Sequence, residues 1–151
     1  MAPQIPFPVE GISDGEVRLR LQTDSDAEAI VAACQDPEIP RWTRVPEPYG
    51  EAEARGWLEQ EAQGRVRGEL LGLLAVHPAD DRLLGSVGIV HLDREERRCE
   101  LGYWMAREGR GRGLATRAVR MLSGWVLPSF ASSARAVLSA QPLVSIRAKW
   151  Q

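Results

Sequence analysis

One stretch constrains this chain more than any other. Arg98-Cys-Glu-Leu-Gly-Tyr-Trp-Met-Ala106 reads as a strand, and Arg107-Glu-Gly-Arg-Gly-Arg-Gly-Leu-Ala-Thr116 follows it as a glycine-rich turn. An amphipathic helix then starts without a break at Arg117-Ala-Val-Arg-Met-Leu-Ser-Gly-Trp125. Strand, glycine turn and helix in that order hold a phosphate, because the first N–H groups of a helix lack intrahelical acceptors and sit at the positive end of its dipole. Glycines let backbone approach the ligand, and the interleaved arginines add positive charge. Two common nucleotide readings fail. A P-loop needs Lys-Ser/Thr after its last glycine, where Leu114-Ala115 stands. The Rossmann spacing G-x-G-x-x-G puts Leu114 and Thr116 where its third glycine belongs.

At 151 residues, 44% hydrophobic and 26% charged, the chain has the size and composition of one globular domain over residues 1–151. Residues 1–15 form a loose lead-in and 127–151 a divergent final part. Cys34 and Cys99 make neither a disulfide framework nor a metal cluster, so no metal is expected, and both fall on apolar faces. No apolar run is long enough to span a bilayer and no signal-peptide pattern opens the chain, so a cytoplasmic protein is expected. The net charge of −2 hides an asymmetry. Residues 1–108 hold 12 arginines against all 21 acidic residues, whereas 109–151 hold six arginines, Lys149 and no acid. The basic part begins at the glycine turn, which suits an anionic ligand there. A nucleic-acid surface is the rival use, and the tail shows none of the usual motifs for it.

Periodicity gives the order β-α-α-β-β-β-α-β-α. Glu16–Gln22 alternates as a half-buried strand. Thr23-Asp24-Ser25-Asp26 caps a helix with Ala27, Ile30, Val31 and Cys34 on one face, ending before Pro37. Asp36–Gly50, with four prolines, reads as a stiff irregular loop. Glu51 to about Gln63 is a second helix with Ala54, Trp57 and Leu58 inward. Strands at 69–76, 82–92 and 97–105 are joined by short turns and form an antiparallel meander. The helix after the glycine turn is expected to stop at Pro128. A strand at 134–140 and a helix from Leu143 to Trp150 complete the reading.

Arg110-Gly-Arg-Gly-Leu-Ala115 fits R-x-x-G-x-A and resembles the acyl-CoA pyrophosphate loop of the GNAT N-acetyltransferases. The element order agrees with that family independently. The resemblance is closest to the branch of the Rim-type ribosomal-protein N-terminal acetyltransferases and covers residues 16 to about 126. It is carried by Val17-Arg-Leu-Arg20, Asp36-Pro37, Pro46-Glu-Pro-Tyr49, Trp57-Leu58 and Gly85-Ser-Val-Gly-Ile89, and most specifically by Glu100-Leu-Gly-Tyr-Trp-Met-Ala106 running into the turn. It implies an α+β, α/β/α sandwich with a mixed, mostly antiparallel sheet flanked by helices.

The resemblance further implies acetyl transfer from acetyl-CoA, as cosubstrate, to an amine: a protein N-terminal α-amino group or a small-molecule amine. A protonated amine must lose a proton before attacking a thioester. Glu100 matches the family carboxylate for that task; the alternative is a strand glutamate facing Arg97 or Arg98. Backbone N–H groups of Trp104, Met105 and Ala106 are candidates to stabilise charge on the thioester carbonyl. The turn Arg110, Gly111, Arg112, Gly113, Leu114, Ala115 and Thr116 would hold the CoA pyrophosphate. Ser145 stands where the family places a proton donor for the departing thiolate. Trp42 and Tyr49 are expected to border the acceptor site, and His77 and His91 to be structural.

The family continues into a K-x-G-F turn and a closing β-hairpin, and the chain stops at Gln151. The expectation is a shortened C-terminus lacking that hairpin, with a homodimer as one way to complete the sheet. A catalytically impaired acyl-CoA-binding or protein-interaction module stays open beside the enzyme, with a nucleic-acid-binding domain third.

Overall fold

The structure, a computed structural model, describes residues 4–43, 45–96, 98–130, 134–136 and 146–150. Its centre is a sheet of seven strands: β1 (Ile12–Ser13), β2 (Arg18–Leu21), β3 (Leu71–Val76), β4 (Leu83–Asp93), β5 (Arg98–Met105), β6 (Ala134–Ala136) and β7 (Ile146–Trp150). Their spatial order is β1-β2-β3-β4-β5-β7-β6, and every pairing is antiparallel. The helices are α1 (Ala27–Cys34), α2 (Glu38–Trp42), α3 (Glu51–Val66) and α4 (Leu114–Phe130).

The meander of β3, β4 and β5 lies where periodicity places it. β3, Leu-Gly-Leu-Leu-Ala-Val, is buried at all six positions because helices cover both of its faces. On one face α4 packs Leu114, Ala118, Val119, Leu122 and Val126 against Leu19, Leu73, Val87, Ile89 and Leu101. On the other, Ile30 and Cys34 of α1, Ile39 of α2 and Ala54 and Leu58 of α3 enclose Leu74 and Val76. The result is the three-layer α/β/α sandwich, with the two cores separated by the sheet.

Four expectations are corrected. The first residues are not loose: Ile5 and Phe7 are buried, Ile5 N–H donates to Arg65 O (3.2 Å), and the Phe7 ring meets Trp125 edge-on at 5.1 Å. Proline spacing hid two apolar anchors. The loop at 36–50 contains α2, where Pro40 lies in the first turn, whose N–H groups have no intrahelical acceptor in any case. α4 runs two residues past Pro128, which forfeits only its own bond back toward Gly124. Finally, residues 146–150 form a strand on β5 rather than the expected helix, with Leu101 opposite Ile146 and Arg98 opposite Lys149. Alternation of Ile146, Ala148 and Trp150 with Arg147 and Lys149 is a period-two pattern. The expected strand at 134–140 is described only over 134–136, paired with β7.

Candidate active site

The site begins with three glycines in register. Gly72 of β3 lies opposite Gly88 of β4, which lies opposite Gly102 of β5. A Cβ on Gly88 would fall 2.4 Å from Leu71 O, and one on Gly102 would fall 2.9 Å from a Val90 methyl. The row therefore has no room for side chains, and α3 crosses above a floor of bare backbone. Between them lies a cavity of about 810 Å³, lined by Cys34, Val45, Tyr49, Trp57, Glu61, Ser86, Glu100 and Trp104 among others.

A second cavity of about 410 Å³ lies where β5 runs into the glycine turn and α4 begins. Trp42, Met105, Arg110, Gly111, Gly113, Leu114 and Ala115 line it. Thr43, Tyr103 and Trp104 line both cavities, so the two meet along the end of β5. β4 pairs with β5 as far as Met105, whereas β7 pairs with it only over Arg98–Leu101. Among the described residues, Gly102–Met105 thus present a strand edge to the junction.

The geometry sorts the three backbone donors expected there. Ala106 N–H donates to Leu84 O (2.9 Å), so it is already used within the sheet. Successive N–H groups of a strand point to opposite edges. Trp104 therefore shares Ala106's direction, toward β4, and Tyr103 and Met105 point to the open edge. Met105 O accepts from Arg110 Nε (3.1 Å) on that same edge. Met105 N–H is the candidate that survives, Tyr103 N–H joins it, and Trp104 and Ala106 drop out as donors.

In the turn, Gly111 (φ 78°) and Gly113 (φ 69°) hold left-handed conformations open to glycine at little cost, and a Cβ on either would meet nothing within 4 Å. The first helix-type bond that closes is Arg117 N–H to Gly113 O (3.1 Å). The N–H groups of the first turn of α4 thus head a 17-residue helix beside the smaller cavity. Its arginines are engaged elsewhere. Arg110 ion-pairs with the buried carboxylate of Asp36 (2.7 Å), which Arg107 also approaches (3.4 Å). The Glu38 N–H and these two guanidiniums hold the Asp36 carboxyl below the usual carboxylate range. Arg112 donates to Glu108 O and Arg117 pairs with Asp14 (2.8 Å). Side chains of the turn therefore fix its shape and backbone faces the cavity. Arg112 and Thr116 are exposed and line neither cavity.

Glu100 lies in the larger cavity, half-buried on β5, in register with His91 on one side and Arg147 on the other. Trp42 and Tyr49, expected on one side, are divided. Trp42 borders the smaller cavity, its Nε1 donating to Glu38 (2.8 Å), and Tyr49 borders the larger. Burial pushes the Tyr49 hydroxyl up to about 12 and the Cys34 thiol up to about 11, so both stay protonated near neutral pH. Cys99 is buried likewise, and His77 and His91 line neither cavity. Ser145 lies outside the described residues. No group of three or more His, Cys, Asp or Glu among the described residues is placed to hold a metal ion.

The residue that sequence reasoning missed is Glu61. It falls on the inward stripe of α3, one turn beyond Trp57, and lies over the Gly72 backbone. Burial raises its carboxyl to about 7, against a smaller opposing effect of a hydrogen bond with Trp57. A carboxylate on an otherwise apolar helical stripe was the available signal. Because the folded value lies above the ordinary 4.5, the folded chain binds more protons than the unfolded chain between those values. Glu61 therefore lowers stability as pH rises through that window. Glu61→Gln is expected to stabilise the fold by on the order of 1–2 kcal/mol at pH 8 and by much less near pH 4.5. Urea unfolding at the two pH values measures this, and an equal effect at both would contradict it.

Residues 16–147 match the model of the acetyltransferase (GNAT) domain. The chain belongs to the GNAT acetyltransferase family. The N-acetyltransferase p20 of Bacillus licheniformis, which is uncharacterized, is 24% identical over 114 residues, covering 76% of this chain and 64% of p20. The chain thus spans less than two thirds of that relative's length. Among solved structures, the ribosomal-protein-S5-alanine acetyltransferase of Vibrio fischeri superposes with a TM-score of 0.64 at 18% identity, over 78% of this chain and 67% of that one. The microcin C7 self-immunity acetyltransferase MccE, in complex with acetyl-CoA and AMP, superposes with a TM-score of 0.69 at 16% identity, over 94% of each chain. These likenesses establish a GNAT fold. No helix among the described residues is long and apolar enough to cross a membrane.

Proposed function

We propose that this GNAT chain acts as one domain, in the cytoplasm, and transfers the acetyl group of acetyl-CoA to an amine held in the larger cavity. The observation that carries the reading is the meeting of the two cavities along Tyr103 and Trp104, on the edge of β5 that no described residue pairs with. The smaller cavity, headed by the α4 N-terminus, suits the pyrophosphate of CoA, and MccE is a fold neighbour in complex with acetyl-CoA. The larger cavity takes the acceptor. A protein N-terminal α-amino group is included because ribosomal-protein acetyltransferases are among the fold neighbours.

In this reading the turn backbone from Gly111 to Thr116 anchors the pyrophosphate, and the thioester lies at Tyr103–Met105. Glu100 takes a proton from the acceptor ammonium, directly or through water. The freed nitrogen attacks the carbonyl carbon, the C–N bond forms, and the C–S bond breaks. Met105 N–H, on the open edge, donates to the carbonyl oxygen as negative charge develops on it. The attacking nitrogen sheds its second proton to water as the tetrahedral intermediate collapses, and the departing thiolate gains a proton from water or from Ser145. Purified protein given acetyl-CoA and a panel of amines, including peptides beginning with Ser or Ala and polyamines, is expected to release free thiol in step with acetylated amine. Stabilisation by CoA with no thiol released from any acceptor would instead support an acyl-CoA-binding module.

A further inference from the structure

We infer that the larger cavity selects an acceptor carrying a second cationic group, and that Glu61 is the residue that binds it. The inference deepens the amine-acceptor reading and rests on it. Among the described residues that line this cavity there are three glutamates and no Lys, Arg or His. Glu53 is committed elsewhere, because its carboxylate accepts from Gly50 N–H (2.9 Å) at the start of α3. Glu61 and Glu100 stand at opposite sides of the glycine floor.

The register gives the separation. Glu61 lies over Gly72 on β3, and Glu100 is two residues along β5 from Gly102, two strands away. Strands lie about 4.8 Å apart, so the carboxylates are separated by on the order of 10 Å across the floor. A ligand with its reacting amine near Glu100 and the open edge reaches Glu61 through a chain of a few methylenes. The cavity has room for it and its walls suit it: Tyr49, Trp57, Tyr103 and Trp104 offer aromatic surface to an aliphatic, cationic chain.

The surroundings of Glu61 hold neutral donors and no cation. A Cβ on Gly72 would clash with the Glu61 carboxylate, and would fall 2.6 Å from Gln22 Nε2. Only glycine there lets the carboxylate settle against the sheet. That Gln22 nitrogen, itself a donor, is buried and has no hydrogen-bond partner among the described residues. Around Glu61, α3 contributes Trp57 as donor and Glu53 as the other carboxylate, α1 contributes Cys34, the loop before α3 contributes Tyr49, and β5 contributes Glu100 and Tyr103. None of these is a cation. Burial leaves the carboxyl titrating at about 7. A bound ammonium would hold it ionised, so binding at neutral pH should release a proton.

Titration calorimetry on the whole chain tests this without needing turnover. The probes are 1,4-diaminobutane against butan-1-amine, and a peptide with N-terminal Ser-Lys against one with Ser-norleucine, each at pH 7 in two buffers of different ionisation enthalpy. The dicationic member of at least one pair is expected to bind about tenfold or more tightly than its monocationic partner, as for a hydrogen bond to a charged group. It should also release a fraction of a proton. Both features should vanish in Glu61→Gln and return in part in Glu61→Asp. The pair that shows the preference identifies the source, small diamine or basic peptide. Equal affinities in both pairs, or a preference that survives Glu61→Gln, would overturn the inference. Thiol release with any amine is read separately, so failure of transfer and failure of this selectivity are distinct results.

Discussion

Glu100→Gln is expected to lower kcat by about 10²–10⁴-fold, the usual range for loss of a general base, with acetyl-CoA affinity unchanged. The substitution keeps the shape and removes the capacity to accept a proton, so the larger cavity should keep its form. Glu100 lies on the acceptor side of the junction, and the groups proposed to hold CoA lie on the other. The effect should therefore fall on kcat with acceptor and leave the Kd for CoA, measured by calorimetry, within error. A variant with wild-type kcat would place the proton acceptor elsewhere, and Glu61, titrating at about 7, would be the next carboxylate to test.

The second large effect is expected at the turn. Gly113 sits at φ 69°, a conformation that a β-branched residue adopts only under strain of about 1–3 kcal/mol. Its missing Cβ faces open space, so Gly113→Val meets no steric obstacle and the cost is conformational. The turn should leave the left-handed region and carry the N–H groups of Leu114 and Ala115 away from the smaller cavity. That predicts a Kd for acetyl-CoA about 10–100-fold higher, with a folded chain by circular dichroism. Gly124→Ala is the control: that glycine lies inside α4, exposed and free of neighbours, so the change should favour the helix and leave CoA binding alone. Equal loss of affinity in both variants would mean that turn geometry does not govern binding.

Much of the fold was legible because its elements are regular. The stripe of Ala27, Ile30 and Cys34, the buried run of β3 and the helix beginning at Leu114 repeat at spacings that only one kind of element satisfies. The pieces that escaped were short or set by tertiary contact. β1 has two residues and α2 five, too few for any period to show. Ile5 and Phe7 read as a proline-rich lead-in until α4 supplied a surface for them. Residues 146–150 became a strand because β5 offered an edge to pair with.

The same division holds for the site. The glycine turn lines the smaller cavity and Glu100 the larger. Charge alone gave the arginines of the turn to the ligand, yet Asp36, 74 positions away from Arg110, claims that side chain. Donor direction depends on strand register, so the choice of Met105 over Ala106 needed the Ala106–Leu84 bond. Glu61 was visible as a carboxylate on an apolar stripe, but its meaning required Gly72, Gly88 and Gly102 to lie side by side.

The central claim is that acetyl-CoA and the amine meet along the open edge of β5. A crystal structure of the chain with acetyl-CoA tests it most directly. The account predicts pyrophosphate oxygens on the N–H groups that head α4, the thioester carbonyl within hydrogen-bond distance of Met105 N–H, and the acetyl group facing the larger cavity and Glu100. Acetyl-CoA bound away from the α4 N-terminus, or with its acetyl group turned from the Tyr103–Met105 edge, would contradict it.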